Sequence, residues 1–157
     1  MEALQPAGGT ILVAGTPEGI ATAQHALGNS FYYLPAYNVD QALSFLSDDV
    51  DVIVCDVAFD SSRMFDFVHA ARQVPTIRPI PIVCFRHQTR PLTRAIHEAI
   101  ENALGLFGFT SFVDLYSLAT QASVSHALSA FRAAVLAALG METRASLGHA
   151  PKKASGF

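Results

Sequence analysis

VDVIVCD, running from Val50 to Asp56, carries the β-branched side chains of Val50, Val52, Ile53 and Val54 and ends on a carboxylate. The run is too short for a membrane span. Its β-branched content suits a strand buried on both faces in the middle of a parallel sheet. Asp56 then stands at the carboxyl edge of that sheet, where open α/β folds place their sites.

On either side of this stretch, strand-like and helix-like segments alternate. Upstream, Thr10 to Ala14 (TILVA) reads as a short buried strand broken by Gly15. Thr16 can cap the helix that follows, Pro17 suits its first turn, Glu18 complements its dipole, and Gly28 stops it after Leu27. Phe31 to Leu34 is a second strand, which Pro35 limits to an edge or terminal position. Val39, Ala42, Leu43 and Leu46 recur at helical spacing and predict a helix ending near Asp48 and Asp49.

Downstream, Phe65, Phe67, Val68 and Ala71 mark a third helix over Ser62 to Gln73, and Ile80 to Phe85 is a fourth buried strand. A helix from Pro91 to Leu104 carries Leu92, Ile96, Ala99, Ile100 and Ala103 on one face, and Phe109 to Leu115 is a fifth strand. The last helix is expected to run unbroken from Ser117 to Leu139, with an apolar stripe through Leu118, Val124, Leu128, Phe131, Val135 and Leu139. Residues 1–9 read as a leader, 10–139 as one domain and 140–157 as a polar, disordered tail.

The 157 residues are 51% hydrophobic and 15% charged, which suits one domain with a sizeable core. The balance of 10 Lys and Arg against 13 Asp and Glu gives a net charge of -3, so no basic field is present to hold a nucleic acid. No run approaches the roughly 18 consecutive apolar residues of a membrane helix. Cys55 and Cys84 lie in apolar runs, as buried reduced thiols do, and MEALQPAGG has neither a basic nor an apolar leader region. A soluble, unprocessed, cytoplasmic protein is the expectation.

Five βα units in succession predict an α/β, flavodoxin-like, doubly wound parallel sheet of five strands with helices on both faces. Over residues 10–139 the chain resembles the receiver domain of two-component response regulators, for which the strand order is 2-1-3-4-5. The resemblance is carried by TILVAG at the first strand, QAL at positions 41–43, VDVIVCDVAFD around Asp56, the Pro81-led PIVCF and GFTSFVDL at the fifth strand.

The resemblance implies a site that has largely been taken apart. Asp56 stands where the family accepts a phosphoryl group from a kinase histidine. Gly15 and Thr16 occupy the positions of the acids that hold Mg²⁺ there. Arg86 takes the place of the switch hydroxyl, and the family's lysine falls at Leu115, or at Asp114 in the adjacent register. Asp60 and Met64 replace the proline and glycine that follow the acceptor. Arg86 can pair bidentately with Asp56 in place of metal and lysine, or it can simply open an exposed loop. Asp60 can alternatively join Asp56 as a second acid for weak metal binding, whereas Glu18 reads as a dipole partner of its own helix.

Other chemistry finds little support. His25, His69, His87, His97, His126 and His149 never fall at metal-ligand spacing and read as surface or helix-face residues. No G-x-S-x-G elbow is present. The turn GTPEGIA, Gly15 to Ala21, is similar to the G-x-x-x-G-x-G turn of short-chain dehydrogenases, and its helix N-terminus suits a phosphate. Yet FYYLPAY offers no acid for a ribose, and there is no Tyr-x-x-x-Lys pair.

The expectation is an atypical receiver, a pseudo-receiver, in bacterial signalling. It is a binding module and not an enzyme, with no cofactor and no metal, whose partner is a kinase or a downstream regulator. The apolar fourth helix, fifth strand and fifth helix supply a surface for a homodimer or a partner. The alternatives are a receiver still phosphorylated on Asp56 in a phosphorelay and a small Rossmann-like nucleotide-binding protein using the Gly15 to Gly19 turn.

Overall fold

The computed structural model describes residues 8–47, 49–75 and 80–140. The expected leader up to residue 7, Asp48 and the expected tail from residue 141 lie outside the described residues. Five strands, β1 (Thr10–Ala14), β2 (Tyr32–Ala36), β3 (Val52–Asp56), β4 (Ile82–Arg86) and β5 (Ser111–Asp114), make one parallel sheet in the order β2-β1-β3-β4-β5. This is the doubly wound, flavodoxin-like arrangement that the alternating pattern predicts. β3 is central and wholly buried, and its alternation serves two cores: Val52 and Val54 face one, Ile53 and Cys55 the other. β2 is an edge strand, which is why Pro35 fits within it, opposite Val13.

The helices among the described residues are α1 (Pro17–Leu27), α2 (Val39–Phe45), α3 (Met64–Arg72), α4 (Arg94–Phe107), α5 (Leu115–Gln121) and α6 (Val124–Ala138). α1 and α6 cover one face of the sheet through Ile20, Leu27, Phe131 and Val135. α2, α3 and α4 cover the other through Ala42, Phe67, Val68 and Leu104. Each fully buried phenylalanine in these layers contributes about 1.5–3 kcal/mol relative to exposure. α1 begins and ends as the sequence predicts, with Thr16 accepting from the Gly19 N–H and Gly28 at φ 85 past its end.

Elsewhere local chemistry moves the boundaries. The expected single last helix is two, because Ala122 and Ser123 leave the helical region and the Ser123 hydroxyl starts α6 by accepting from the His126 N–H. α4 starts later than Pro91, after Thr93 caps the Ile96 N–H, and runs on to Phe107, where Gly108 at φ 74 ends it. α3 starts at Met64 and not Ser62, because Asp60, Ser61 and Ser62 take positive φ and form a left-handed turn. β4 extends one residue further than expected, to Arg86, while α2 stops at Phe45. No helix among the described residues is long and apolar enough to cross a membrane.

Candidate functional site

The carboxyl edge of the sheet brings together the end of β3, the turn from β1 into α1 and the residues after β4. Asp56, the last residue of β3, is completely buried. Its Oδ1 accepts the Ala58 N–H at 2.9 Å. Its Oδ2 accepts the Thr16 N–H at 3.3 Å and the Thr16 hydroxyl at 3.2 Å, and lies 3.0 Å from His87 Nε2. Thr16 Oγ1 also accepts the Gly19 N–H at 3.0 Å and lies 3.2 Å from the same His87 nitrogen. One proton assignment satisfies every contact: the hydroxyl proton goes to Asp56, and His87 Nε2 carries a proton shared between Asp56 and Thr16.

Two glycines allow this closure. A Cβ on Gly19 would stand 2.1 Å from Asp56 Oδ2 and 3.1 Å from His87 Cδ2, and one on Gly15 would stand 2.9 Å from Asp56 Cβ. The first turn of α1 therefore rests directly on the carboxylate, with its positive end toward the charge. The Asp56 carboxylate thus occupies the helix N-terminus that a nucleotide phosphate would need. Glu18 is exposed on the outside of that turn, as a dipole partner would be.

Neither alternative for Arg86 holds: it does not pair with Asp56, and it is buried where an exposed loop would leave it in solvent. Arg86 Nη1 lies 3.2 Å from Asp114 Oδ1, both side chains are buried, and Nη2 donates to the Arg90 carbonyl. Sheet register supplies the reason. Asp56 is opposite Phe85 and Arg86 is opposite Asp114, so the parity of β4 turns Arg86 to the other face and leaves the next residue, His87, on the face of Phe85 and Asp56. Of the two candidate lysine positions, Leu115 is buried in the core beside α1 and α6, and Asp114 is the residue beside Arg86.

His87 was read as a surface residue. The period-two rule applied beyond the end of β4 would have found it, since Phe85 and His87 share a side and their ring centroids are 6.3 Å apart.

Mg²⁺, which the fold family implies, does not fit these residues. Gly15 and Thr16 bring no carboxylate, and both Asp56 oxygens are taken by N–H and O–H donors. Asp60 is spent elsewhere: its Oδ2 accepts the Val39 N–H at 2.9 Å and pairs with Arg63 at 3.4 Å. Among the described residues no group of three His, Cys, Asp or Glu side chains converges to hold a metal.

No protein-family model matches the sequence. No curated protein matches it. The fold itself has solved counterparts. A putative response regulator from Chloroflexus aurantiacus superposes with a TM-score of 0.62 at 16% identity, covering 84% of this chain and 98% of the other. The signal receiver domain of a two-component histidine kinase from Clostridium thermocellum gives 0.58 at 14% identity, covering 83% and 97%. The phosphorylated cyanobacterial phytochrome response regulator RcpA gives 0.59 at 14% identity, covering 82% and 91%. The chain has the receiver fold.

Proposed function

We propose that this chain is an atypical receiver in two-component signalling, a module that acts through protein contacts with Asp56 locked in an internal network. It is not an enzyme and does not cycle through Mg²⁺-dependent phosphorylation. The observation that carries this reading is the fully buried Asp56 carboxylate with both oxygens already accepting hydrogen bonds. A phosphoryl acceptor needs a free oxygen lone pair in line with the incoming phosphorus and a cation to neutralise the developing charge. Here the carboxylate is completely buried, Oδ2 faces Thr16 and His87 while Oδ1 accepts from Ala58, and among the described residues no second carboxylate lies beside it to hold a cation.

Contact through a surface is supported by α4. Leu104 is its single residue buried within the core, while Ile96 is 50% and Leu106 87% exposed. Such exposed apolar side chains suit a kinase, a downstream regulator or a second copy docking over α4 and β5.

RcpA, with the same fold, is a phosphorylated protein by name, so the test is direct. The protein is incubated with acetyl phosphate and Mg²⁺ beside Asp56→Ala, and intact mass and peptide mapping are recorded. An unmodified mass is expected. A phosphoryl adduct mapped to Asp56 would overturn the reading in favour of a phosphorelay receiver, whether or not the variant folds.

A further inference from the structure

The break between α5 and α6 opens a cleft of about 180 Å³ at the carboxyl edge of the sheet. Leu115, Ala119, Val124, Ala127 and Leu128 make its apolar lining. Its polar members are His87, Thr89, Tyr116 and Thr22, and Thr22 already spends its hydroxyl on the Glu18 carbonyl at 2.9 Å. His87 thus belongs to two places at once, lining the cleft while its Nε2 lies 3.0 Å from Asp56.

We propose that this cleft binds a small uncharged aromatic molecule bearing one hydrogen-bonding group, and that His87 couples its occupancy to the Asp56 network. Size fixes the first part. An enclosed apolar cavity of about 150 Å³ holds a benzene ring, so the apolar floor of this open cleft seats one substituted ring or a small bicycle. Charge fixes the second. No Lys or Arg lines the cleft, and its one imidazole, His87, already faces the Asp56 carboxylate, so an anionic ligand has no free counter-ion there. The few polar side chains within the apolar lining serve to orient a single hydroxyl or N–H group.

The coupling follows from the shared imidazole. A ligand that moves or hydrogen-bonds the ring acts on the group that closes over Asp56. Binding is independent of whether Asp56 accepts a phosphoryl group; the coupling rests on the closed network proposed above, which the mass measurement tests separately.

The experiment is a titration of the isotopically labelled full chain with indole, and in parallel with benzoate, followed by amide and imidazole nitrogen resonances. Indole is expected to give saturable shifts at Ala119, Val124, Ala127 and Leu128 by about 10 mM, the range open to a ligand of this size. The His87 imidazole resonances should move with the same saturation curve, and benzoate should give no saturable shift. Ala119→Phe, which fills the cleft, and Val124→Asp, at its exposed rim, should each weaken indole binding by about tenfold or more. Absence of saturable shifts, unchanged affinity in a folded variant, or equal binding of benzoate would overturn the site. Saturation at the cleft with a static His87 would overturn the coupling.

Discussion

Arg86 and Asp114 are register partners at the ends of β4 and β5, with the guanidinium Nη1 3.2 Å from the carboxylate Oδ1 and both side chains buried. Removing one member strands a buried charge, which typically costs about 3–5 kcal/mol, whereas replacing both by apolar groups of similar volume costs far less. Arg86→Ala is therefore expected to destabilise strongly, and Arg86→Met with Asp114→Leu by little more than the loss of the α5 cap, about 1 kcal/mol. Asp114 also caps α5 by accepting the Ser117 N–H, so Asp114→Ala should lose about 1 kcal/mol more. A double-mutant cycle by urea denaturation reads the coupling, and additive losses would contradict a mutually dependent pair.

Gly19 and Gly105 make a matched contrast. A Cβ at Gly19 collides with Asp56 Oδ2, while one at Gly105, inside α4, meets nothing within 4 Å. Gly105→Ala is expected to stabilise by about 0.5–1 kcal/mol through helix propensity. Gly19→Ala should instead destabilise by about 1–3 kcal/mol, because it displaces the carboxylate from its donors. Thermal melts of both variants, recorded under one set of conditions, check the opposite signs.

Ser61 and Ser62 sit at φ 56 and 68, exposed to solvent in the turn before α3. A left-handed conformation costs an L-residue roughly 1–2 kcal/mol, which glycine does not incur. Ser61→Gly should raise the urea midpoint, despite the greater entropy it gives the unfolded chain. A lower midpoint would mean that the serine side chain contributes more than its backbone loses.

Cys55 and Cys84 are opposite one another in β3 and β4 and fully buried. Burial, and after it the charge of Asp56, pushes the Cys55 thiol far above its ordinary value of 9.0. Cys84 is raised well above the same value by burial, then by Cys55 and Asp56. The unfolded chain releases these protons near the ordinary value and the folded chain keeps them. Their contribution to stability is therefore complete below about pH 9 and is lost as pH rises beyond it, by about 1.4 kcal/mol per pH unit for each thiol. Urea midpoints across that range should show the decline, with a shallower slope in Cys55→Ala. Ellman's reagent should leave both thiols untouched until the protein is unfolded.

The central place of β3 was legible because it is buried on both faces and its unbroken apolar run records that directly, whereas the order of the other strands came only with the resemblance to receiver domains. α1 was legible to the residue because Thr16, Pro17 and Gly28 are local signals acting on local backbone. The split of the last helix was not, since Ala122 carries no breaker and only the Ser123 cap competes with an apolar stripe that continues across it. At the site, Asp56 and the exchanged positions Gly15 and Thr16 could be placed along the chain. What they touch depends on side-chain parity across β4, and one residue of difference replaced Arg86 by His87 as the partner of Asp56.

The close approach of Gly15 to Asp56 limits what position 15 can carry. A side chain at position 15 would meet Asp56 Cβ at 2.9 Å, an atom fixed to the strand and unable to rotate away. A substitution that placed an acid at position 15 would therefore strike the residue it was meant to serve. Building a metal-binding pair there would require the start of α1 to lift away from Asp56. An acid at position 15 and the present seat of α1 on Asp56 are thus mutually exclusive, and the packing of one helix turn decides whether this edge of the sheet can hold a cation.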